Sequence, residues 1–165
     1  MYYGIYDEDT ITKIKPLGKK PIVIRLLDKD KEPLENFDKV LNLFVADINM
    51  ELDLENIYNE KHAKMINDFI LNNDFDEILV HCALGISRSP AVMAYIALIL
   101  DDKKMFNDIL SEKHFIPNKL ILRKSMEYDY IIKKDNREKI SRNKFSEYKD
   151  ITEYDPITKT LTFKL

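Results

Sequence analysis

The chain has 165 residues, 45% hydrophobic and 33% charged, which fits one soluble globular domain and excludes both two large domains and a chain that is disordered throughout. Its 26 basic and 29 acidic side chains give a net charge of -3, so no overall positive field draws it to nucleic acid or to an anionic membrane. The chain has one cysteine, no leading basic and apolar stretch and no apolar run of roughly 18 residues, so we expect a cytoplasmic protein without disulfide, export signal or membrane anchor.

Two short apolar segments in the first third of the chain predict buried strands. The segment 22–27 is apolar and β-branched, and it follows the proline- and glycine-containing stretch 16–21. A charged loop, 28–38, separates it from a second segment of the same kind, 40–45. The polar stretch 47–53 comes next and is therefore predicted to be a loop at the carboxyl end of a strand.

The middle of the chain alternates helical and strand patterns. Apolar residues recur at three- and four-residue spacing from 56 to 72, which predicts an amphipathic helix, and 78–80 predicts a third buried strand. Residues 81–89 lack periodicity and predict a loop. The nearly all-apolar segment 90–100 predicts a helix that is buried on most sides, and 104–111 predicts another helix.

The last third predicts one long helix and a hairpin. Asn118 is a good N-cap for a helix over 119–134. The stretch 133–144 holds six basic and two acidic residues, which indicates an extended helix end or a solvated loop. Residues 160–165 alternate polar and apolar side chains after a turn-like stretch at 155–159, so we expect a C-terminal β-hairpin.

Together these elements predict the fold class. Strands that alternate with helices and are mostly too apolar to face water indicate an α/β fold, with a central, mostly parallel sheet flanked by helices. We expect a single domain over 1–165, with its core at about 22–132 and an extension at 133–165. Ligands in such folds bind at the carboxyl ends of the strands.

The loop that follows the third predicted strand is the most informative part of the sequence. It reads His81-Cys82-Ala83-Leu84-Gly85-Ile86-Ser87-Arg88-Ser89. The five residues between Cys82 and Arg88 form a loop short enough to curl into a ring whose backbone N–H groups point inward, beside the N-terminus of the next helix. Such a nest of amides binds a dianion, and it favours the thiolate of Cys82, which is the nucleophilic form.

Several side chains of this loop have predicted roles. Arg88 can present a planar fork to two oxygens of a phosphoryl group. Gly85 lies where a Cβ would force an unfavourable φ or block the incoming oxyanion. Ser89 is placed to donate its hydroxyl toward Cys82 and to stabilise the sulfur as a leaving group. The predicted phosphate-binding residues are Ala83, Leu84, Gly85, Ile86, Ser87 and Arg88.

The loop resembles the signature of the cysteine-based protein tyrosine phosphatases, His-Cys-x-x-Gly-x-x-Arg followed by Ser or Thr. All five fixed positions match, and the resemblance extends from about residue 22 to residue 132. The compact size and the absence of tryptophan look like the dual-specificity branch, since the larger tyrosine-specific domains carry a Trp-Pro-Asp motif. The resemblance implies the fold of that superfamily and a phosphocysteine intermediate on Cys82.

The resemblance also implies a general acid on a loop some thirty residues before the cysteine. Asp47 lies 35 positions before Cys82, directly after a predicted strand, and is the preferred candidate. Asp53, 29 positions before Cys82, is the rival, although it could equally cap the following helix. Glu51 is the third candidate.

The three histidines are predicted to have no direct catalytic role. His81 is too close along the strand to act as a base on Cys82, so we expect it to shape the ring by hydrogen bonding. His62 and His114 are expected to be packing or surface residues. Neither a metal site nor a cofactor is expected.

The functional hypothesis is a metal-independent phosphatase that acts on phosphotyrosine, and also on phosphoserine or phosphothreonine, in a phosphorylated protein partner. We expect a monomer without a membrane or nucleic-acid partner. The uncharged variable positions of the loop disfavour phosphoinositides as substrates. Two alternatives stay open: an RNA 5′-triphosphatase of the same superfamily, favoured by the basic stretch 133–144, and a catalytically silent phosphopeptide-binding module.

Overall fold

The structure, a computed structural model, describes residues 1–52, 55–139, 154–155 and 160–161. The chain divides into two compact units, Met1–Ile131 and Ile132–Leu165. The candidate functional residues lie in the first unit. A single domain with its core at about 22–132 and an extension at 133–165 stays a prediction.

A four-stranded, all-parallel sheet forms the centre of the first unit. Its strands are β1 (Tyr2–Tyr6), β2 (Pro21–Leu27), β3 (Lys39–Phe44) and β4 (Glu77–His81), in the spatial order β1-β4-β2-β3. The three strands predicted from the sequence are present within one residue at each end. The α/β class with a mostly parallel sheet is therefore confirmed.

Five helices accompany the sheet in the described part of the chain: α1 (Glu8–Ile11), α2 (Glu60–Leu71), α3 (Arg88–Ile99), α4 (Lys103–Ser111) and α5 (Lys119–Lys139). The first predicted helix begins four residues later than its pattern suggests, because Asn59 caps it by accepting from the Lys61 amide. The last helix continues past residue 134 to Lys139, through the first part of the basic stretch. No helix in the described ranges is both long and apolar enough to cross a bilayer.

The sheet order decides which strands are buried. All five residues of β4 are buried because strands flank it on both sides. The segment at 40–45 was expected to be a buried strand, but β3 lies at the sheet edge and is partly exposed. One core cluster joins the sheet to α1 and to the loop after β2: Ile11, Val23, Leu34, Phe37 and Leu79.

The sequence pattern predicts neither β1 nor α1. The segment Tyr2–Tyr6 contains a glycine and has no sustained apolar run, so it lacks the usual strand pattern. It becomes a strand because it pairs with the second edge of β4, from Tyr2 opposite Glu77 to Tyr6 opposite His81. Parallel pairing places the carboxyl ends of all four strands at one edge of the sheet, where the candidate site lies.

The second unit, described by itself, contains a short antiparallel pair of strands. β5 (Tyr154–Asp155) pairs with β6 (Thr160–Leu161), Tyr154 opposite Leu161. The predicted C-terminal hairpin is present as this pair. Its turn at 156–159 and the residues 162–165 lie outside the described residues.

Candidate active site

The loop between β4 and α3 forms a ring whose carbonyl groups are held from outside. The carbonyl oxygen of Ala83 accepts from the Glu8 amide at 3.3 Å, and that of Ile86 accepts from the Ile116 amide at 2.9 Å. The Ser87 carbonyl accepts from the Asn118 amide at 3.0 Å. The amides of residues 83–87 donate to no other described residue. Such a loop leaves its N–H groups for an anion.

Gly85 adopts the left-handed conformation that the ring requires, with φ of 69°. A Cβ at this position would also lie 2.8 Å from the Tyr6 carbonyl carbon and 2.9 Å from the Asp7 amide nitrogen. The first of the two predicted reasons for glycine, an unfavourable φ, therefore applies. The close approach of the β1–α1 connection is a second reason, which the sequence did not reveal.

Arg88 begins α3 and is only 3% exposed. Its Nη1 donates to Oδ1 of Asp28 at 2.7 Å and to the Val45 carbonyl oxygen at 2.7 Å, and its Nη2 donates to Oδ2 of Asp28 at 3.1 Å. Asp28 directly follows β2 and was not predicted as a site residue. Its position after a buried strand, as for Asp47, is the one sequence feature that could have indicated it.

Asp47 follows β3 by three residues and lies against the ring. Its Oδ1 accepts from the Ser87 hydroxyl at 2.7 Å and from the side-chain amide of Asn118 at 2.8 Å. Its Oδ2 lies 4.0 Å from Nε of Arg88. Ser87 is at the N-cap position of α3 but makes no capping bond with its side chain, because its hydroxyl is donated to Asp47. The structure thus brings Asp47, Ser87 and Arg88 together.

The loop that carries Asp47 is also fastened to the start of α5. Asn118 donates from Nδ2 to the Ile48 carbonyl at 3.1 Å, and the Lys119 amide donates to Oδ1 of Asn49 at 2.9 Å. The predicted N-cap is confirmed, since Oδ1 of Asn118 accepts from the Ile121 amide at 3.0 Å. Asn118 therefore joins the helix start to the acid loop, a second role that its sequence position did not indicate.

The two other acid candidates are placed differently. Glu51 is paired with Lys124 at 2.6 Å and with Arg123 at 2.8 Å. The hydrogen bond and charge of Lys124 lower the pKa of Glu51, which stabilises it as a carboxylate on α5. Asp53 lies outside the described residues.

His81 is completely buried and bonded to a residue that the sequence analysis did not single out. Nε of Arg25, on β2, donates to Nε2 of His81 at 3.1 Å, and Nη1 of Arg25 donates to the Glu32 carbonyl at 2.9 Å. Burial, followed by the charge of Arg25, lowers the pKa of His81 from 6.5 to about 4. A neutral imidazole that accepts at Nε2 carries its proton on Nδ1.

This lowered pKa makes the stability of the protein depend on pH. Between pH 6.5 and about 4 the unfolded chain protonates His81 and the folded chain does not. The free energy of unfolding therefore falls as the pH falls through this window, by at most about 3 kcal/mol from this residue. His81→Gln keeps an acceptor for Arg25 without titrating, so we expect this part of the loss to disappear.

The measurement is urea unfolding of the two proteins at pH 7 and pH 5. His62, whose pKa is also lowered by burial, is present in both and cancels in the comparison. The same fall in unfolding free energy for both proteins would contradict the assignment to His81.

Three residues of the signature each have a buried polar atom without a hydrogen-bond partner among the described residues: Nδ1 of His81, Nε of Arg88 and Oγ of Ser89. Such atoms are rare, and a group of them favours a missing ligand. Cys82, which directly follows β4, is 2% exposed. Donation by Ser89 toward Cys82 stays a prediction.

The remaining histidines belong to other contacts. His62 completes the capping box of α2, with Nδ1 accepting from the Asn59 amide at 3.1 Å. His114 lies edge-on to the Phe115 ring and pairs with Glu112 at 2.9 Å. Among the residues that the structure describes, no group of three or more His, Cys, Asp and Glu side chains could hold a metal ion.

Comparison with known proteins agrees with this architecture. The chain is similar to the crystal structure of DUSP15, with a TM-score of 0.50 and 22% sequence identity over 73% of this chain and 76% of that one. Two others are human tyrosine phosphatase-like serine/threonine/tyrosine-interacting protein (TM-score 0.46, 22% identity, 68% and 79% covered) and a human DUSP28 variant (0.46, 17%, 69% and 78%). No protein-family model and no curated protein matches the sequence. The chain has a dual-specificity-phosphatase-like fold.

Proposed function

We propose that this chain is a metal-independent phosphomonoester hydrolase that acts on phosphotyrosine in proteins, and also on phosphoserine or phosphothreonine. The observation that carries the proposal is the hydrogen bond of 2.7 Å between Ser87 of the ring and Asp47, a carboxylate from another strand end. It sets a general acid beside a ring that offers a nucleophile, inward amides and a guanidinium. Those are the groups that transfer of a phosphoryl group to sulfur requires.

In the first step the thiolate of Cys82 attacks phosphorus in line with the ester oxygen. The sulfur–phosphorus bond forms while the bond to the ester oxygen breaks, and Asp47, in its acid form, gives that oxygen its proton. Arg88 and the ring amides hold the three other oxygens throughout, and their hydrogen bonds stabilise the charge of the transition state.

The contacts of Asp47 indicate which of its oxygens carries the proton. Oδ1 already accepts from Ser87 and Asn118, so its lone pairs are occupied. Oδ2 accepts no hydrogen bond from either residue and lies on the side of Arg88. The proton is therefore assigned to Oδ2, which is the oxygen next to the bound phosphoryl group.

In the second step a water molecule attacks the phosphocysteine. Asp47, now a carboxylate, takes a proton from the water, the phosphorus–sulfur bond breaks, and phosphate and the Cys82 thiolate are released. Ser89 is placed to donate its buried hydroxyl to the leaving sulfur. The positive potential for both steps comes from the ring and from α3, whose first turn lacks a side-chain cap.

The test is phosphate release from four substrates: a phosphotyrosine peptide, a phosphothreonine peptide, a phosphoinositide and triphosphate-ended RNA, each with and without EDTA. We expect release from the phosphotyrosine peptide, unchanged by EDTA. Release from the RNA alone would favour an RNA 5′-triphosphatase. Tight binding of the peptides without release from any substrate would favour the silent binding module.

A further inference from the structure

We propose that Asp28 is a positioning residue that presents one edge of the Arg88 guanidinium to the substrate phosphoryl group. This inference rests on the proposed function. It concerns a residue that the sequence does not connect with the loop, since Asp28 lies 60 positions before Arg88. The pairing arises because both follow neighbouring parallel strands, β2 and β4.

The hydrogen bonds of Arg88 divide its five N–H donors unequally. Nη1 uses both of its hydrogens, one on Asp28 and one on the Val45 carbonyl, and Nη2 uses one on the other oxygen of Asp28. Asp28 thus takes the end of the guanidinium, where the two Nη atoms point the same way. The N–H of Nε and the second N–H of Nη2 are left over.

The two remaining N–H groups lie side by side along one edge of the guanidinium. They form a fork that matches two oxygens of a phosphoryl group. The position of Asp47 supports this orientation, because its Oδ2 lies 4.0 Å from Nε of Arg88. A phosphoryl group bound on this edge therefore lies beside the proposed general acid.

Burial makes this orientation depend on Asp28. The Arg88 side chain is 3% exposed, whereas the Asp28 side chain is 61% exposed. A buried guanidinium keeps its orientation only while its donors are satisfied, and Asp28 satisfies two of them with one carboxylate. Without that carboxylate the guanidinium can rotate, and the free edge no longer points at the ring.

Electrostatics alone predicts the opposite effect of Asp28 on an anion. A carboxylate near the site repels a phosphoryl dianion, so its removal should strengthen anion binding. The positioning role predicts that its removal weakens binding. The two explanations can therefore be separated by the sign of the change.

The experiment compares the unaltered protein with Asp28→Ala, Asp28→Asn and Asp28→Glu. Asp30→Ala is the matched control, since it removes an exposed carboxylate from the same loop. Tungstate, a tetrahedral oxyanion, is titrated into each protein by calorimetry, and kcat and KM are measured with an aryl phosphate. Melting temperatures identify variants that do not fold.

We expect Asp28→Ala to weaken tungstate binding about 10-fold and to lower kcat/KM by about 10- to 100-fold, with most of the loss in kcat. Asp28→Asn keeps one acceptor and should be intermediate. Asp28→Glu keeps the carboxylate and should recover part of the activity. Asp30→Ala should match the unaltered protein.

The inference is overturned if a folded Asp28→Ala or Asp28→Asn protein binds tungstate as tightly as the unaltered protein, or more tightly. If Asp28→Ala weakens tungstate binding but the unaltered protein releases no phosphate from any substrate, the orientation of Arg88 stands and the proposed function fails. If the unaltered protein does not bind tungstate, both fail.

Discussion

Cys82→Ser is expected to remove phosphatase activity while the ring keeps its affinity for oxyanions. A serine hydroxyl has nearly the shape of the thiol, so it fits the 2% exposed position at the end of β4. It is not ionised near neutral pH, and no base in the described site is bonded to residue 82 to activate it. We expect kcat to fall by at least about 10⁴-fold.

The measurement is steady-state phosphate release from an aryl phosphate, with tungstate titration as the control for an intact ring. Retained tungstate affinity together with lost turnover would assign the chemistry to the sulfur. Turnover by Cys82→Ser within about 10-fold of the unaltered protein would contradict a phosphocysteine intermediate. Peroxide, which oxidises a reactive thiolate, should inactivate only the protein that contains Cys82.

Asp47→Asn is expected to lower kcat by an amount that depends on the leaving group. Asparagine has nearly the shape of aspartate, and its Oδ1 can still accept from Ser87 and Asn118, so the loop should stay in place. It cannot supply a proton. For phenyl phosphate, whose leaving oxygen needs protonation, we expect a loss of about 10²- to 10⁴-fold, which is the usual contribution of general acid catalysis.

For p-nitrophenyl phosphate the loss should be much smaller, because the nitro group lets the oxygen leave without a proton. The ratio of kcat for the two substrates is therefore the measurement, and Glu51→Gln, from the same loop, is the matched control. Asp53→Asn tests the rival acid. If Asp53→Asn changes the ratio and Asp47→Asn does not, the acid is Asp53.

The chemistry-bearing loop could be predicted from the sequence because it is local. Cys82, Gly85 and Arg88 lie within seven consecutive residues, between an apolar strand and an apolar helix. The strand-loop-helix order and the positive φ of Gly85 follow from residues that are neighbours along the chain. The same holds for the N-cap of α5 at Asn118, whose side chain accepts from an amide three residues away.

The choice among acids was only partly a local matter. The sequence placed Asp47 and Asp53 on one loop and ranked them by their distance from a strand end. The contact between Asp47 and Ser87 spans 40 residues and depends on how β3 lies in the sheet. No periodicity reports such a contact, because periodicity records that an element is buried and not what it is buried against.

The sequence by itself determined the class of fold, the strand and helix order and the loop that carries a nucleophile and a guanidinium. Tertiary structure alone decided that β1 lies beside β4, that Arg25 bonds His81, that Asn118 holds Asp47 and that Asp28 takes one end of Arg88. The physical reason is that the side-chain contacts join residues 56 to 71 positions apart. Their distances are set by the order β1-β4-β2-β3 of a parallel sheet, which the local pattern of each strand does not encode.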